Sequence, residues 1–210
     1  MILYAVSDRR VVPSGDLIRQ ASGLLRGGVD WLQIREKDLP DRAQFQVLCA
    51  LAPEARRFRA LLLPNGRPDL AASAGVAGVH LPAAGLPTRE VRRLFPPPFF
   101  VVRSCHGADE AALAEQDGAD AVVLGPVFHT PSKARFGPPL GLAPLADACR
   151  RVSIPVLGIG GIDAGGARLV LGEGAAGVAA IRLFFEMRNP IADLPALRAS
   201  LGNSFDHPHV

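Results

Sequence analysis

The sequence has few lysines, few aromatic side chains and no long apolar run. Lys37 and Lys133 are the only lysines among 23 basic residues, and Phe, Trp and Tyr together make up 6% of the 210 residues. No apolar stretch reaches the ~18 residues that a membrane-spanning helix needs, and no basic-then-apolar leader opens the chain. We therefore expect a soluble, cytoplasmic protein with no membrane partner.

The chain also lacks a metal-binding cysteine pattern and a strong net charge. Its three cysteines, Cys49, Cys105 and Cys149, are far apart in the sequence, so we expect free thiols in a reducing compartment. The net charge of +3 is small, and no basic stripe is interleaved with aromatic residues, as nucleic-acid recognition would require. We therefore expect no nucleic-acid partner. The sequence leaves open whether the chain forms a homo-oligomer.

Short β-branched or leucine-rich runs alternate with segments that have helical apolar spacing, such as Asp16–Arg26 and Ala43–Phe58. The runs predict eight strands, at Leu3–Ser7, Trp31–Arg35, Leu61–Leu63, Val79–Leu81, Phe99–Arg103, Ala121–Leu124, Val156–Gly160 and Val178–Ile181. This alternation predicts a single α/β domain, a (β/α)8 TIM barrel with a closed eight-stranded parallel sheet. We assign the barrel to residues 1–202 and expect a disordered tail at 203–210.

A repeated glycine pattern supports closure of the barrel. Gly28, Gly75, Gly118 and Gly174 precede the second, fourth, sixth and eighth predicted strands, and each would supply the left-handed residue that ends a helix. The alternative is a doubly wound open sheet, which would need a glycine-rich dinucleotide-binding turn after the first strand. The segment SDRRVVPSG after that strand has no G-x-G-x-x-G pattern, so the barrel is favoured.

Polar and basic side chains follow the predicted strands at their carboxyl ends, where such barrels place their chemistry. Period-two alternation places Gln33, Arg35 and Lys37 on one face after the second strand. The later strand ends contribute, in chain order, Asn65, Arg67, Ser104, His129, Thr130, Ser132, Lys133, Arg135, Gly160, Gly161 and Arg182. Six of all these residues are lysine or arginine, and a cavity lined by one sign of charge attracts ligands of the other. We therefore expect an anionic small-molecule ligand, a phosphate ester.

Glycines and histidines refine this expectation. Gly160 and Gly161 precede the seventh predicted helix, which fits a phosphate site built from helix N–H groups. His129 lies in a polar loop, and a histidine side chain can take up or give a proton near neutral pH. His80 is expected to fill the barrel interior, whereas His106 is a candidate either to orient Ser104 or to cap the fifth helix.

The motifs QIREK, NGRPDLA, AGVHL, RSCH, GPVFHTPSK, IPVLGIGGI and GAAGVAAI occur in an order and spacing that resemble the thiamin phosphate synthase and thiazole tautomerase superfamily. The resemblance covers Leu3 to Phe184 and implies a (β/α)8 enzyme of thiamin biosynthesis. It implies that a pyrimidine diphosphate is held by Gln33, Arg35, Lys37, Asn65, Ser104 and Lys133. It also implies that a thiazole phosphate is held by Thr130, Ser132, Gly160, Gly161 and the stretch Ile181-Arg182.

Two acids that the synthases of this family use to bind magnesium are absent. The resemblance implies that their positions are Gly66 and Gly85, and glycine brings no oxygen ligand for magnesium. Asn-Gly-Arg at residues 65–67 resembles the metal-independent tautomerase branch. Our first hypothesis is therefore a metal-independent thiazole phosphate tautomerase that needs no cofactor, with His129 and Lys133 as its catalytic residues.

Two departures from the family pattern keep other functions open. Pro126 stands where the tautomerase branch has a catalytic histidine, and Arg182 stands where the family has a serine. One alternative is a thiamin phosphate synthase, which condenses a hydroxymethylpyrimidine diphosphate with a thiazole phosphate and uses Mg²⁺. Another is a non-catalytic barrel that binds phosphate without turning it over.

Overall fold

The strands form one sheet in the computed structural model, which describes residues 1–130 and 138–202. All strand pairings are parallel, and the order is β3-β2-β1-β8-β7-β6-β5-β4. The strands are β1 (Ile2–Val6), β2 (Trp31–Ile34), β3 (Leu61–Pro64), β4 (Gly78–Leu81), β5 (Phe100–Cys105), β6 (Ala121–Leu124), β7 (Val156–Ile159) and β8 (Gly177–Ala180).

The sheet curls until its two outer strands meet. A parallel bridge joins Asn65, directly after β3, to His80 in β4, and the N–H of Gly66 donates to the carbonyl of His80 at 2.7 Å. Eight parallel strands alternating with helices and joined in this way make a (β/α)8 barrel. The fold predicted from the sequence is confirmed, and the predicted strand ends agree with the observed ones within two residues.

Helices follow the strands around the outside of the barrel. They are α1 (Leu17–Gly27), α2 (Asp41–Arg57), α3 (Pro68–Ser73), α4 (Thr88–Leu94), α5 (Ala108–Gln116), α6 (Leu142–Arg151), α7 (Ala164–Gly172), α8 (Arg182–Phe185) and α9 (Pro190–Gly202), with a 3₁₀ turn at Arg9–Val11. Within the described residues, no helix combines the length and apolar character that crossing a membrane requires. The predicted tail at 203–210 lies outside the described residues.

Helix ends show why the sequence folds into these units. Asp16 begins α1 by accepting a hydrogen bond from the N–H of Arg19 at 3.0 Å, which satisfies one of the free N–H groups of the first turn. The glycines of the repeated pattern all have positive φ, at 94°, 63°, 89° and 89° for Gly28, Gly75, Gly118 and Gly174. Each follows a helix, so the prediction made for them is confirmed.

Apolar side chains pack in two layers on either side of the sheet. The outer layer joins strands to helices and contains residues such as Leu24, Leu48 and Val170. The inner layer fills the barrel with side chains such as Val102 and Leu157. Because fully burying one such side chain stabilises the fold by about 1.5–3 kcal/mol, the two layers hold the strand ends of the barrel mouth in fixed positions.

Candidate active site

A buried carboxylate fixes the backbone where β1 and β2 end. Glu36 is 3% exposed and accepts hydrogen bonds from the Ser7 hydroxyl at 2.6 Å and from the backbone N–H of Arg9 at 3.1 Å. The Arg9 guanidinium also donates to Glu36 at 3.1 Å. The Ser7 oxygen in turn accepts from the N–H of Arg35 at 2.8 Å. These bonds hold the first residue after β2 at the barrel mouth.

Arg35 presents a half-buried guanidinium at this mouth. Burial lowers the pKa of Arg35, whereas the charges of Asp8 and Glu36 act to raise it. The side chain makes no hydrogen bond or ion pair with any residue of 1–130 or 138–202. A guanidinium in this state offers a planar set of donors to a carboxylate or phosphate. Arg35 is therefore the described cation best suited to bind an anionic ligand.

Gln33 and Asn65 form a pair on the neighbouring strand ends of β2 and β3. The side-chain nitrogen of buried Gln33 donates to the side-chain oxygen of Asn65 at 3.0 Å. Gln33 and Arg35 are two residues apart and therefore share the inner face of β2, as the sequence predicts. The structure brings Gln33, Arg35 and Asn65 together at one side of the mouth.

Tyr4, His80 and Ser104 form an interior network that runs from the barrel centre toward the mouth. The Tyr4 hydroxyl lies 2.9 Å from Nδ1 of His80, and Nε2 of His80 lies 2.7 Å from the Ser104 hydroxyl oxygen. Burial first, and then the charges of Arg35 and Arg103, lower the pKa of His80 to about 3. His80 is therefore neutral at physiological pH, and Arg35 is close enough to act on it electrostatically.

The sequence analysis missed the contacts of this interior network. The sequence predicts that His80 fills the interior, which it does with 3% exposure, and it offers His106 either to orient Ser104 or to cap the fifth helix. The exposed His106 instead places Nδ1 at 2.7 Å from the carbonyl of Gly125. Period-two alternation along β1, β4 and β5 carries the signal that Tyr4, His80 and Ser104 all face inward.

Two of the predicted cations are paired with carboxylates. The Arg67 guanidinium donates to Asp69 at 2.7 Å and also to Asp41. Arg182, whose side chain is 71% exposed, donates to Glu186 at 3.0 Å. The mouth is therefore less electropositive than the sequence suggested, because acids in or directly after the outer helices neutralise part of its charge. That Arg67 and Arg182 bind substrate stays a prediction.

Gly160 and Gly161 allow the loops after β6 and β7 to pack closely. Their φ angles are 103° and 64°. A Cβ on Gly160 would lie 2.6 Å from Pro126, and one on Gly161 would lie 2.4 Å from the carbonyl oxygen of His129. The N–H of Phe128 donates to the carbonyl of Gly160 at 3.0 Å. Close packing therefore explains both glycines without any bound phosphate. Their predicted role in ligand binding stays a prediction.

The predicted phosphate site at the start of α7 is occupied in part by the protein itself. The Asp163 side chain accepts from the N–H of Gly166 at 2.7 Å. This carboxylate occupies one of the free N–H groups of the first turn of α7 and interacts with the positive end of the helix dipole. The short helix α8 begins at Arg182, directly after β8.

The loop after β6 contains the predicted acid–base residues. His129 is exposed, and Thr130 is partly buried. Ser132, Lys133 and Arg135 lie outside the described residues. The expectation that Lys133 and Lys37 lie at the same barrel mouth therefore stays a prediction. Lys37 is exposed after β2. The catalytic roles of His129 and Lys133, and the ligand roles of Lys37, Thr130 and Ser132, stay predictions.

Known proteins match this chain over nearly its whole length. The model of a family described as thiamine monophosphate synthase matches residues 3–184. A putative thiamine-phosphate synthase of Geobacter sulfurreducens is 41% identical over 199 residues, which cover 95% of this chain and 93% of that protein. The thiamine-phosphate synthase of Roseiflexus castenholzii is 39% identical over 196 residues, which cover 93% and 86%.

A solved structure supports the same relationship. The thiamine phosphate pyrophosphorylase from Pyrococcus furiosus superposes with a TM-score of 0.86 and 29% sequence identity, covering 97% of this chain and 96% of that one. The resemblance inferred from the motifs of the sequence is confirmed. Both the family model and the relatives show that the chain belongs to the thiamine monophosphate synthase family.

Proposed function

We propose that the chain is a thiamin phosphate synthase, which joins a hydroxymethylpyrimidine diphosphate to a thiazole phosphate and releases pyrophosphate. Relatives named thiamine-phosphate synthase, aligned over most of their own length, support this function. They favour the synthase alternative of the sequence analysis over the tautomerase that was its first hypothesis. The single structural observation that carries the proposal is the half-buried Arg35, which has no carboxylate partner among the described residues.

The synthase reaction builds negative charge on a leaving group. The C–O bond between the pyrimidine methylene and the diphosphate breaks, and its electron pair departs with pyrophosphate. The thiazole nitrogen then bonds to the methylene carbon. Donors fixed in place before the reaction stabilise such developing charge because they need no reorganisation. Ser104, held by His80, is a donor of this kind, and Arg35 extends its guanidinium from a backbone that the Ser7–Glu36 bonds hold.

The two positions where the resemblance implies magnesium-binding acids do not supply carboxylates. Family membership is consistent with the Mg²⁺ that the sequence analysis attached to a synthase, but Gly66 and Gly85 offer no side-chain oxygen. The nearby carboxylates of Asp41 and Asp69 are both bound by Arg67. No group of three or more His, Cys, Asp or Glu residues in the described part of the chain could hold a metal ion. These residues do not fit a magnesium site.

A thiazole phosphate tautomerase is the second candidate. Its reaction is independent of metal, so it does not need the two acids that are absent at positions 66 and 85. The structure gives this candidate a weaker acid–base residue than the reaction needs. The resemblance implies that Pro126 stands where the tautomerase branch has its catalytic histidine, and His129 is exposed to solvent. A general base works best when its position and pKa are fixed by neighbouring groups, and no described residue hydrogen bonds to the His129 ring.

One assay separates these functions. The purified full-length chain is incubated with the pyrimidine diphosphate and the thiazole phosphate, with added magnesium or with EDTA. Thiamin phosphate and pyrophosphate are measured, as is interconversion of the thiazole phosphate tautomers. Formation of thiamin phosphate with stoichiometric pyrophosphate supports the synthase. Tautomer interconversion without pyrophosphate release refutes it in favour of the second candidate, and substrate binding without any product indicates a non-catalytic barrel.

A matched pair of variants connects the assay to the observation that carries the proposal. Arg35→Ala removes the half-buried guanidinium, whereas Arg93→Ala removes an exposed arginine on α4 that pairs with Glu90. We expect Arg35→Ala to slow thiamin phosphate formation by about tenfold or more, the value for losing one charged hydrogen bond. Equal rates for both variants would contradict a role for Arg35 in the reaction.

A further inference from the structure

The interior network contains a neutral histidine whose two ring nitrogens both have partners. Tyr4 is fully buried, and the only partner of its hydroxyl among the described residues is Nδ1 of His80. Burial raises the pKa of Tyr4 well above its usual value, so the phenol keeps its proton. That proton needs an acceptor, because an unsatisfied buried donor costs about 1–3 kcal/mol.

This requirement fixes the tautomer of His80. A neutral imidazole carries one proton, on either Nδ1 or Nε2. If Nδ1 carried it, the Tyr4 proton would have no acceptor among the described residues, because Tyr4 otherwise packs among apolar side chains such as Trp31, at 5.4 Å between ring centroids. If Nδ1 accepts from Tyr4, the imidazole proton lies on Nε2 and donates to Ser104 at 2.7 Å. Only the second arrangement satisfies every member of the network.

The tautomer in turn decides what Ser104 can do. Its oxygen accepts from Nε2 of His80, and no described residue accepts from its own O–H group. Ser104 is partly exposed near the carboxyl end of β5, so its proton is available to a ligand at the barrel mouth. The hydroxyl therefore faces the ligand as a donor.

We propose that Tyr4 and His80 are positioning residues that hold the Ser104 hydroxyl as a hydrogen-bond donor toward an anionic oxygen of the ligand. The inference rests on the proposed function in one respect, since it identifies that oxygen as part of a diphosphate. The charges of Arg35 and Arg103 disfavour a protonated imidazole, so His80 stays in the neutral form that the network requires. A ligand atom that is itself a donor is disfavoured at this position.

Nuclear magnetic resonance reads the tautomer directly. Long-range ¹H–¹⁵N spectra of the full chain labelled with ¹⁵N-histidine distinguish a protonated ring nitrogen from a bare one, and His80→Gln identifies the signals of His80. We expect Nε2 protonated and Nδ1 bare at neutral pH. In Tyr4→Phe the Nδ1 signal should move to that of a nitrogen accepting no hydrogen bond. A protonated Nδ1 in the unmodified chain overturns the inference.

Inorganic pyrophosphate tests the consequence for binding without any turnover. We expect Ser104→Ala to weaken pyrophosphate affinity about tenfold, because it removes one hydrogen bond to a charged group. We expect Tyr4→Phe to weaken it about threefold, because it removes a neighbour that polarises this bond. In a Ser104→Ala background the Tyr4→Phe effect should vanish, because Tyr4 acts through Ser104. Trp31→Phe is the control for packing beside Tyr4 and should leave affinity unchanged.

The outcomes separate this inference from the proposed function. An equal loss from Tyr4→Phe in both backgrounds would show a merely structural effect and overturn the inference, as would failure of the unmodified chain to bind pyrophosphate. If the tautomer and the coupling are found but no thiamin phosphate is formed, the proposed synthase activity fails while the role of Tyr4 and His80 stands.

Discussion

The buried His80 makes the stability of the fold depend on pH in a calculable way. Its pKa is lowered to about 3 in the folded chain, by burial first and then by the charges of Arg35 and Arg103. In the unfolded chain its pKa is about 6.5. Between these values the unfolded state binds more protons, so stability falls as the pH falls. From pH 7 to pH 5 the linkage relation gives a loss of about 2 kcal/mol from this residue alone.

Urea unfolding at pH 7 and pH 5 measures this loss, with His80→Gln as the comparison. The variant cannot titrate at this position, so its free energy of unfolding should change by about 2 kcal/mol less between the two pH values. Its absolute stability is also expected to be lower, but only the difference in pH dependence tests the argument. Matching pH dependence in the two proteins would show that His80 titrates normally in the fold and would refute the reasoning.

Three further perturbations follow from the contacts of the barrel mouth and its outer helices. Ser7→Ala removes a hydroxyl that donates to a buried carboxylate at 2.6 Å and accepts a backbone N–H, so it should lower the free energy of unfolding by about 2–3 kcal/mol. The exposed Ser73→Ala should change it by less than about 0.5 kcal/mol in the same urea titration, and equal effects would be inconsistent with the network. Arg35→Ala should weaken pyrophosphate binding by roughly tenfold or more in calorimetry, whereas Arg93→Ala should not; an unchanged Arg35→Ala affinity would place the anion elsewhere. Arg92→Lys should cost roughly 2–3 kcal/mol on unfolding, because one ammonium cannot replace a guanidinium that bonds three carbonyls and Asp120; a loss below about 0.5 kcal/mol would contradict this reading of its contacts.

Strand positions could be predicted because their causes are local. A short apolar run that starts after a glycine of positive φ, such as the run after Gly28, is specified within a few residues of sequence. The two-residue period of a strand is likewise sufficient to predict that Gln33 and Arg35 share one face. These features need no information about which strands lie opposite one another in the barrel.

Partner choice could not be predicted, because it depends on residues far apart in the sequence. Tyr4 and His80 are separated by 76 positions, and both lie in runs that read as ordinary buried strands. The pairing of Arg67 was missed for a related reason. The sequence shows the lysines and arginines that follow the strands, but not that Asp41 and Asp69, in the first turns of α2 and α3, lie against Arg67.

The packing around Gly66 and Gly85 shows how far each loop could accept the acid that the family resemblance implies there. At Gly66 a side chain has room, since its Cβ would lie 3.4 Å from Pro82, although φ is +70°. At Gly85 a Cβ would lie 2.9 Å from the carbonyl oxygen of Pro82, which already accepts the Gly85 N–H at 2.7 Å.

Arg103 braces this same loop by donating to the carbonyls of Ala83 and Leu86 at 2.8 and 2.7 Å. An aspartate restored at position 85 would therefore displace backbone before it could meet a metal ion. Restoring one at position 66 alone would leave a single carboxylate beside Arg67, which already holds two. One substitution at either position therefore does not restore a pair of metal-binding carboxylates, and in the proposed synthase we expect protein donors to meet the charge of the departing pyrophosphate. Arg35 and Ser104 are the described residues placed to provide them.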